Sequence, residues 1–193
     1  MNVYRFVLAV AIFVVPPGLF AGTKELMTTN GDHFRVVFPD SFNYEQVSLA
    51  DSGLPVAFTL KYAQTTNGTQ LSFQVLINKV SEKSELDSQE AVDRFIVKAG
   101  ARALRNAVEK EVTPVHYSPD AGFGSYAVFT DPALVSVENP KPGDYRHLIM
   151  GALRRGKYVI FLRGYTNSVE SDYFSSANQI LETLQADASG KVP

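Results

Sequence analysis

The chain has 193 residues, of which 45% are hydrophobic and 20% are charged, and this length and composition are typical of one globular domain. Its formal net charge is −2 and no block of like charges occurs, so charge points to neither nucleic acid nor an anionic membrane as a partner. The sequence contains no Cys, which excludes disulfides, thiolate nucleophiles and zinc sites that use Cys.

The first 21 residues have the pattern of an export signal. A single positive charge, Arg5, precedes an unbroken apolar run of ten at 6–15, and small residues follow near Ala21, as in secretory signal peptides. The run is about half the length that spans a bilayer, although an uncleaved anchor is the alternative. We therefore predict cleavage after Ala21 or Gly22, and a periplasmic or secreted product with no transmembrane segment.

The first half of the remaining chain is predicted to form strands. Residues 33–38 follow a turn-forming Asn-Gly-Asp and end at a proline, which is typical of a strand. Apolar and polar side chains alternate at 56–62 and again at 71–78, which predicts two half-buried strands. An Asn-Gly pair between them suits a tight turn, so we expect a β-hairpin over 56–80.

A long helix is predicted after this hairpin. Asp87, followed three residues later by Glu90, has the form of a capping box. Apolar side chains then recur at helical spacing from Val92 to Val108, as in a helix that packs one face on a core. We therefore expect the helix to have Asp87 as its N-cap and to run to about Lys110.

The second half is predicted to add further strands and a final helix. The strands are expected at 115–117, 125–130, 146–153 and 157–165. A proline-rich loop at 131–144 lies among them, and Arg155-Gly156 supplies the turn of a second hairpin. Asn167 or Ser168 is expected to cap the last helix, whose apolar side chains include Phe174 and Leu184.

This order of elements predicts an α+β fold. Strands joined by tight turns pair antiparallel, which excludes a doubly wound parallel sheet. We expect one domain over residues 22–186, with an antiparallel sheet of about six strands flanked by two main helices, an α/β/α sandwich. Residues 187–193 are expected to be a disordered tail.

Apolar motifs along the chain resemble a known fold. They are an early Phe34-x-Val36-x-Phe38-Pro39-x-x-Phe42 segment, the 71–77 strand before the long helix, and the 157–159 strand before Ile180-Leu181-x-x-Leu184. The order is similar to the PsbP-like fold of the extrinsic photosystem protein and the Ran-binding Mog-type proteins, over most of residues 33–185. The resemblance implies a binding or assembly role more often than catalysis, and it places no functional residue. A lipid-cradling helix-grip fold is the alternative.

Motifs for catalysis are absent. Neither a G-x-S-x-G elbow nor a P-loop occurs. Gly122 to Ala127 fits G-x-G-x-x-A, but a predicted strand continues there, where a dinucleotide site needs a helix N-terminus. The three histidines form no H-E-x-x-H pair, so the sequence predicts no metal site and no cofactor.

The densest polar cluster follows the proline-rich loop. It contains Asp144, Arg146 and His147, and an Asp and a His that converge can orient a proton transfer or hold a metal. Polar residues at the start of a strand are more often simply solvated. A hydrolase-like or metal-assisted enzyme that uses residues 144–147 is therefore an alternative hypothesis.

The long helix carries a basic stripe, formed by Arg94, Lys98, Arg102 and Arg105. Their spacing of four, four and three residues aligns them along one face of a helix. Such a stripe suits an acidic protein, a lipid headgroup or a cell-wall polyanion. The positive charge of this stripe is diluted by the nearby acids Asp93, Glu109 and Glu111. The outer face of a helix can also be solvated without any partner, so the stripe is a candidate binding surface only.

Three hypotheses about function follow. The first is an exported, non-enzymatic binding or assembly-accessory domain whose partner is an unknown protein or envelope component. The second is the enzyme already described. The third is a carrier of a small apolar ligand, because Leu134, Val135 and Val137 in the 131–144 loop form either a lid over a pocket or a cover on the core.

Overall fold

The computed structural model describes residues 22–27, 33–38, 41–47, 56–64, 68–80, 85–118, 120 and 122–187. The predicted export signal at 1–21 lies outside these residues, as do the Asn of the first hairpin turn and residues 188–193 of the predicted tail. Within the described part, no helix is long and apolar enough to cross a membrane.

The described residues form ten strands and two helices. In chain order they are β1 Gly22–Met27, β2 His33–Phe38, β3 Phe42–Val47, β4 Val56–Gln64, β5 Gly68–Lys79, α1 Gln89–Leu104, β6 Val115–His116, β7 Phe123–Thr130, β8 His147–Arg155, β9 Tyr158–Thr166, α2 Asp172–Thr183 and β10 Gln185–Asp187.

All strand pairs are antiparallel, which confirms the predicted α+β class. Seven strands form the main sheet in the order β3-β4-β5-β9-β8-β7-β6, and β1-β2-β10 form a smaller sheet. The count therefore exceeds the predicted six. Both predicted hairpins occur, as β4-β5 and β8-β9. Gly156 turns the second hairpin with a φ of 56°, a left-handed conformation that glycine adopts without steric cost.

The two helices lie on opposite faces of the main sheet. On β8, Ile149 and Leu153 belong to the apolar cluster around α2, whereas Leu148 and Ala152 belong to the cluster around α1. Successive strand residues point to opposite faces, so this division fixes the helices on either side. The predicted α/β/α sandwich is confirmed, and the smaller sheet joins the α2 side through Phe34 of β2.

The start of α1 differs from the prediction by one residue. Ser88, not Asp87, is the N-cap: its backbone is extended and its Oγ accepts a hydrogen bond from the Ala91 N–H at 3.2 Å. Glu90 is therefore the second helical residue, one position short of the third helical position that a capping box requires.

Two other helix boundaries were predicted wrongly. The helix α1 ends at Leu104 rather than Lys110, because the Val108 N–H donates to the Thr130 carbonyl of β7 at 3.0 Å. The helix α2 is capped by Ser171, whose Oγ accepts from the Phe174 N–H at 3.3 Å. Asn167 is unavailable as a cap because its Oδ1 accepts from the backbone N–H of Arg146 at 2.9 Å.

Candidate functional site

The basic stripe lies on the outer face of α1. Arg94, Lys98, Arg102 and Arg105 are all exposed, whereas the buried side chains of the helix, such as Val92 and Ile96, face β7 and β8. Within the described part of the chain, none of the four cations makes a hydrogen bond or an ion pair. The prediction that they share one face is met, and the face is the one opposite the sheet.

Asp93, one of the acids expected to dilute the stripe, is turned toward the sheet. Its Oδ1 accepts from Gln89 Nε2 at 3.0 Å and from the Ser125 hydroxyl, and its Oδ2 lies 3.0 Å from His116 Nε2. Burial raises the pKa of Asp93, but these hydrogen bonds outweigh it and the pKa is lowered. The carboxylate therefore stays ionised with its charge directed away from the four cations.

Glu109, a second diluting acid, is also engaged. Its two carboxylate oxygens accept from the Thr130 N–H at 2.8 Å and from the Thr130 hydroxyl at 2.7 Å. Burial raises the pKa of Glu109, but the hydrogen bonds from Thr130 outweigh it and the pKa is lowered. Of the three diluting acids, only Glu111 is exposed, so the stripe is less neutralised than its sequence indicates.

Ser125, Asp93 and His116 form a contact that the sequence reasoning missed, because they lie far apart along the chain. The carboxylate sits between the hydroxyl and the imidazole. A nucleophilic triad instead needs the imidazole between the other two groups, so that it can take the hydroxyl proton. Ser125 is also fully buried. The cluster therefore fastens the start of α1 to β6 and β7 and has no nucleophile that a substrate can reach.

The predicted cluster at 144–147 does not assemble. Asp144 is exposed and makes no side-chain hydrogen bond among the described residues. His147 is instead close to Thr130, with its Nδ1 3.1 Å from Thr130 Oγ1. Because that hydroxyl donates its only proton to Glu109, His147 carries a proton on Nδ1. Burial, reinforced by Arg146, lowers the pKa of His147, so the imidazole is favoured in its neutral form.

Arg146 holds the proline-rich loop. Its guanidinium donates to the carbonyls of Leu134 at 3.2 Å, Val137 at 2.5 Å and Asn167 at 3.1 Å. These bonds join the first half of the loop to Arg146, which lies just after the loop, and to Asn167 between β9 and α2. Arg146 therefore supports the loop rather than an acid–base pair. The described residues contain no group of three or more His, Asp or Glu side chains that could hold a metal ion.

A cavity of about 270 Å³ opens between the C-terminal end of α1 and the ends of β7, β8 and β9. Its lining residues are Ala103, Asn106, Ala107, Phe129, Thr130, Asp131, Tyr145, Arg146, Leu148 and Tyr165. From the proline-rich loop only Asp131 contributes, whereas Leu134, Val135 and Val137 do not. The alternative in which these three apolar side chains form a lid over a pocket therefore has no support at this cavity.

Comparison with known proteins gives little further identification. No protein-family model matches the chain, and no curated protein matches it. The chain is similar to the solution structure of cyanobacterial PsbP (CyanoP) from Synechocystis sp. PCC 6803, with 13% sequence identity and a TM-score of 0.44. The match covers 86% of this chain and 94% of that one. The α+β class rests on this chain's own strand pairing and not on that likeness.

Proposed function

We propose that the chain is an exported, non-enzymatic binding or assembly-accessory domain that docks an acidic protein through the basic stripe. The observation that carries the proposal is the separation of charge along α1 and the residues that follow it. Four cations are exposed without partners among the described residues, while Asp93 and Glu109 are hydrogen-bonded on the sheet side. This leaves a local positive face on a chain whose formal net charge is −2.

The composition of this face suits a protein partner. Three of its four cations are Arg, which binds carboxylates through two parallel hydrogen bonds and is enriched at protein interfaces. Val97 and Val108, each 44% exposed, supply apolar surface nearby. Arg94 and Arg105 are about 17 Å apart along a helix axis. One partner protein can therefore contact all four cations.

Charge reversal tests the docking surface. The chain from Gly22 onward, immobilised through a C-terminal tag, is used to capture proteins from an envelope extract of the source organism. The variant K98E/R102E is compared with K141E/K157E, which makes the same change in net charge at exposed positions outside α1. We expect an acidic protein that the wild type and the control retain to be lost with K98E/R102E, and its retention to fall with added salt.

Two outcomes would contradict docking through the basic stripe. If the K98E/R102E variant, folded as judged by circular dichroism, retains the same proteins in the same amounts as the wild type, the stripe is not the interface. Loss of capture with both variants would also contradict the proposal, since it would reflect net charge alone.

Export is proposed on the pattern of residues 1–21 alone, a single Arg before an apolar run and small residues near Ala21. We expect a C-terminally tagged chain to appear in the periplasmic or culture fraction, and its N-terminus to begin at Gly22 or Thr23. An Arg placed in the middle of the run, as in V10R, should retain the chain in the cytoplasm. A cytoplasmic wild type that still begins at Met1 would refute export.

A further inference from the structure

The cavity at the end of α1 has a chemistry that the docking proposal does not use. We infer that it binds a small planar aromatic compound that carries an N–H or O–H donor. This inference is independent of the basic stripe, because the cavity lies between α1 and the sheet whereas the stripe faces away from the sheet.

The walls of the cavity favour a flat ring. Phe129, Tyr145 and Tyr165 all contribute aromatic surface, and the rings of the two tyrosines have centroids 5.7 Å apart at an angle of 40°. Aromatic rings attract one another in tilted and offset arrangements at such distances. A third ring in the cavity would make contacts of the same kind, which an aliphatic ligand cannot make.

The volume sets the size of the ligand. On the helix side the wall includes Ala103 and Ala107 beside Asn106, and the small alanine side chains leave the space open. An apolar cavity of about 150 Å³ is large enough to bind benzene. The space here is about 270 Å³ and is open to solvent on one side rather than enclosed, so it can admit a compound of one or two fused rings.

The polar groups of the lining favour a hydrogen-bond donor. The hydroxyl proton of Thr130 and three N–H groups of Arg146 are already used within the protein. Asp131 accepts from the Ala133 N–H through one oxygen at 2.8 Å, and its other oxygen has no partner among the described residues. This carboxylate oxygen can therefore accept a hydrogen bond from a ligand that carries a donor.

Indole is a suitable probe because it has two fused rings and one N–H. Binding to the chain, purified as its host processes it, is measured by ligand-observed NMR and isothermal titration. We expect 1-methylindole, which lacks the donor, to bind at least about fivefold more weakly than indole. No detectable binding of indole at about 10 mM, or equal binding of the two compounds, would overturn the inference.

A cavity-filling variant locates the binding. Ala103→Leu places a larger side chain in the cavity and should weaken indole binding at least about tenfold. Ala101→Leu is the matched control, since Ala101 is an exposed residue of the same helix, and it should bind indole like the wild type. Unchanged binding by a folded A103L variant would place the ligand elsewhere and reject the site.

Asp131→Asn provides a second test of the cavity site if A103L does not fold. Removing the charge of this exposed residue should weaken indole binding about threefold to tenfold and should leave the binding of 1-methylindole, which has no donor, unchanged. K98E/R102E should leave the affinities for both compounds unchanged. This variant therefore distinguishes a failure of the cavity site from a failure of the basic stripe. A D131N variant with wild-type affinity for indole would contradict the assigned role of the carboxylate.

Discussion

Thr130 at the end of β7 is hydrogen-bonded to the segment after α1 and to the start of β8. Its N–H and hydroxyl both donate to Glu109, which follows α1, and its hydroxyl oxygen lies beside His147 at the start of β8. Its carbonyl accepts from the Val108 N–H. The residue therefore fixes the end of α1 against the sheet and orients two titratable side chains.

Thr130→Val removes the hydroxyl while nearly keeping the shape of the side chain. It leaves Glu109 with one hydrogen bond from Thr130 instead of two and leaves His147 Nδ1–H without its acceptor. We expect a loss of about 1–3 kcal/mol in the free energy of unfolding and a rise in the pKa of Glu109. Urea unfolding and an NMR pH titration measure both. Thr130→Ser, which keeps the hydroxyl, should stay close to the wild type, and equal losses in the two variants would contradict this account.

Close packing between neighbouring strands depends on a glycine in β9. A Cβ at Gly164 would lie 2.4 Å from Phe73 Cε1 and 2.5 Å from Phe73 Cδ1, well inside van der Waals contact. Phe73 on β5 is fully buried and packs edge-on against Phe174 of α2, at 6.0 Å between ring centroids. The ring of Phe73 therefore occupies the space that the missing side chain leaves, as strand glycines often allow.

Gly164→Ala should consequently destabilise the fold by about 1–3 kcal/mol through overpacking. A smaller partner should relieve the clash, so G164A/F73L should lose less stability than the sum of its two single variants. Chemical denaturation of the four proteins of this cycle gives the coupling directly. Additive losses would mean that the Cβ is accommodated by a shift elsewhere and not by the ring of Phe73.

The elements that could be predicted from the sequence are those whose signal is local. Alternation within β4 and β5, and the turn at Gly156, lie in short stretches of chain. By contrast, β10 was missed because its three residues carry no apolar alternation and pair with β2, far away in sequence. It ends at Asp187, one residue inside the predicted disordered tail. The cap of α2 was predicted wrongly for a related reason: the side chain of Asn167 accepts a hydrogen bond from the backbone of Arg146, which is far away in sequence.

The candidate sites of the molecule also differ in whether their sequence signal is local or arises only from tertiary packing. Helical spacing alone placed the four cations of the stripe on one face. The engagement of Asp93 by Ser125 and of Glu109 by Thr130 was not predictable, because each pair is brought together only by packing α1 on β7. The cavity combines side chains from α1 and three strands, so no local pattern indicates it.

Three titratable groups with lowered pKa values make the stability of the whole molecule sensitive to acid. His147 has an ordinary pKa of 6.5, and Asp93 and Glu109 have ordinary values of 3.8 and 4.5. Because each pKa is lower in the folded state, the fold binds fewer protons than the unfolded chain, and each stabilising contribution is lost as pH falls from the ordinary pKa through the folded one. The three contributions therefore act in the same direction.

We expect the free energy of unfolding to fall in two ranges. The first begins below about pH 6.5, where His147 binds a proton in the unfolded chain before it does in the fold, and the second begins below about pH 4.5, where the same holds for the two carboxylates. Urea unfolding at several pH values between 7.5 and 3.5 measures this. His147→Gln, which can still donate to Thr130 but does not titrate, should reduce the loss in the first range and leave the second. Identical profiles for H147Q and the wild type would mean that His147 has no part in the acid sensitivity.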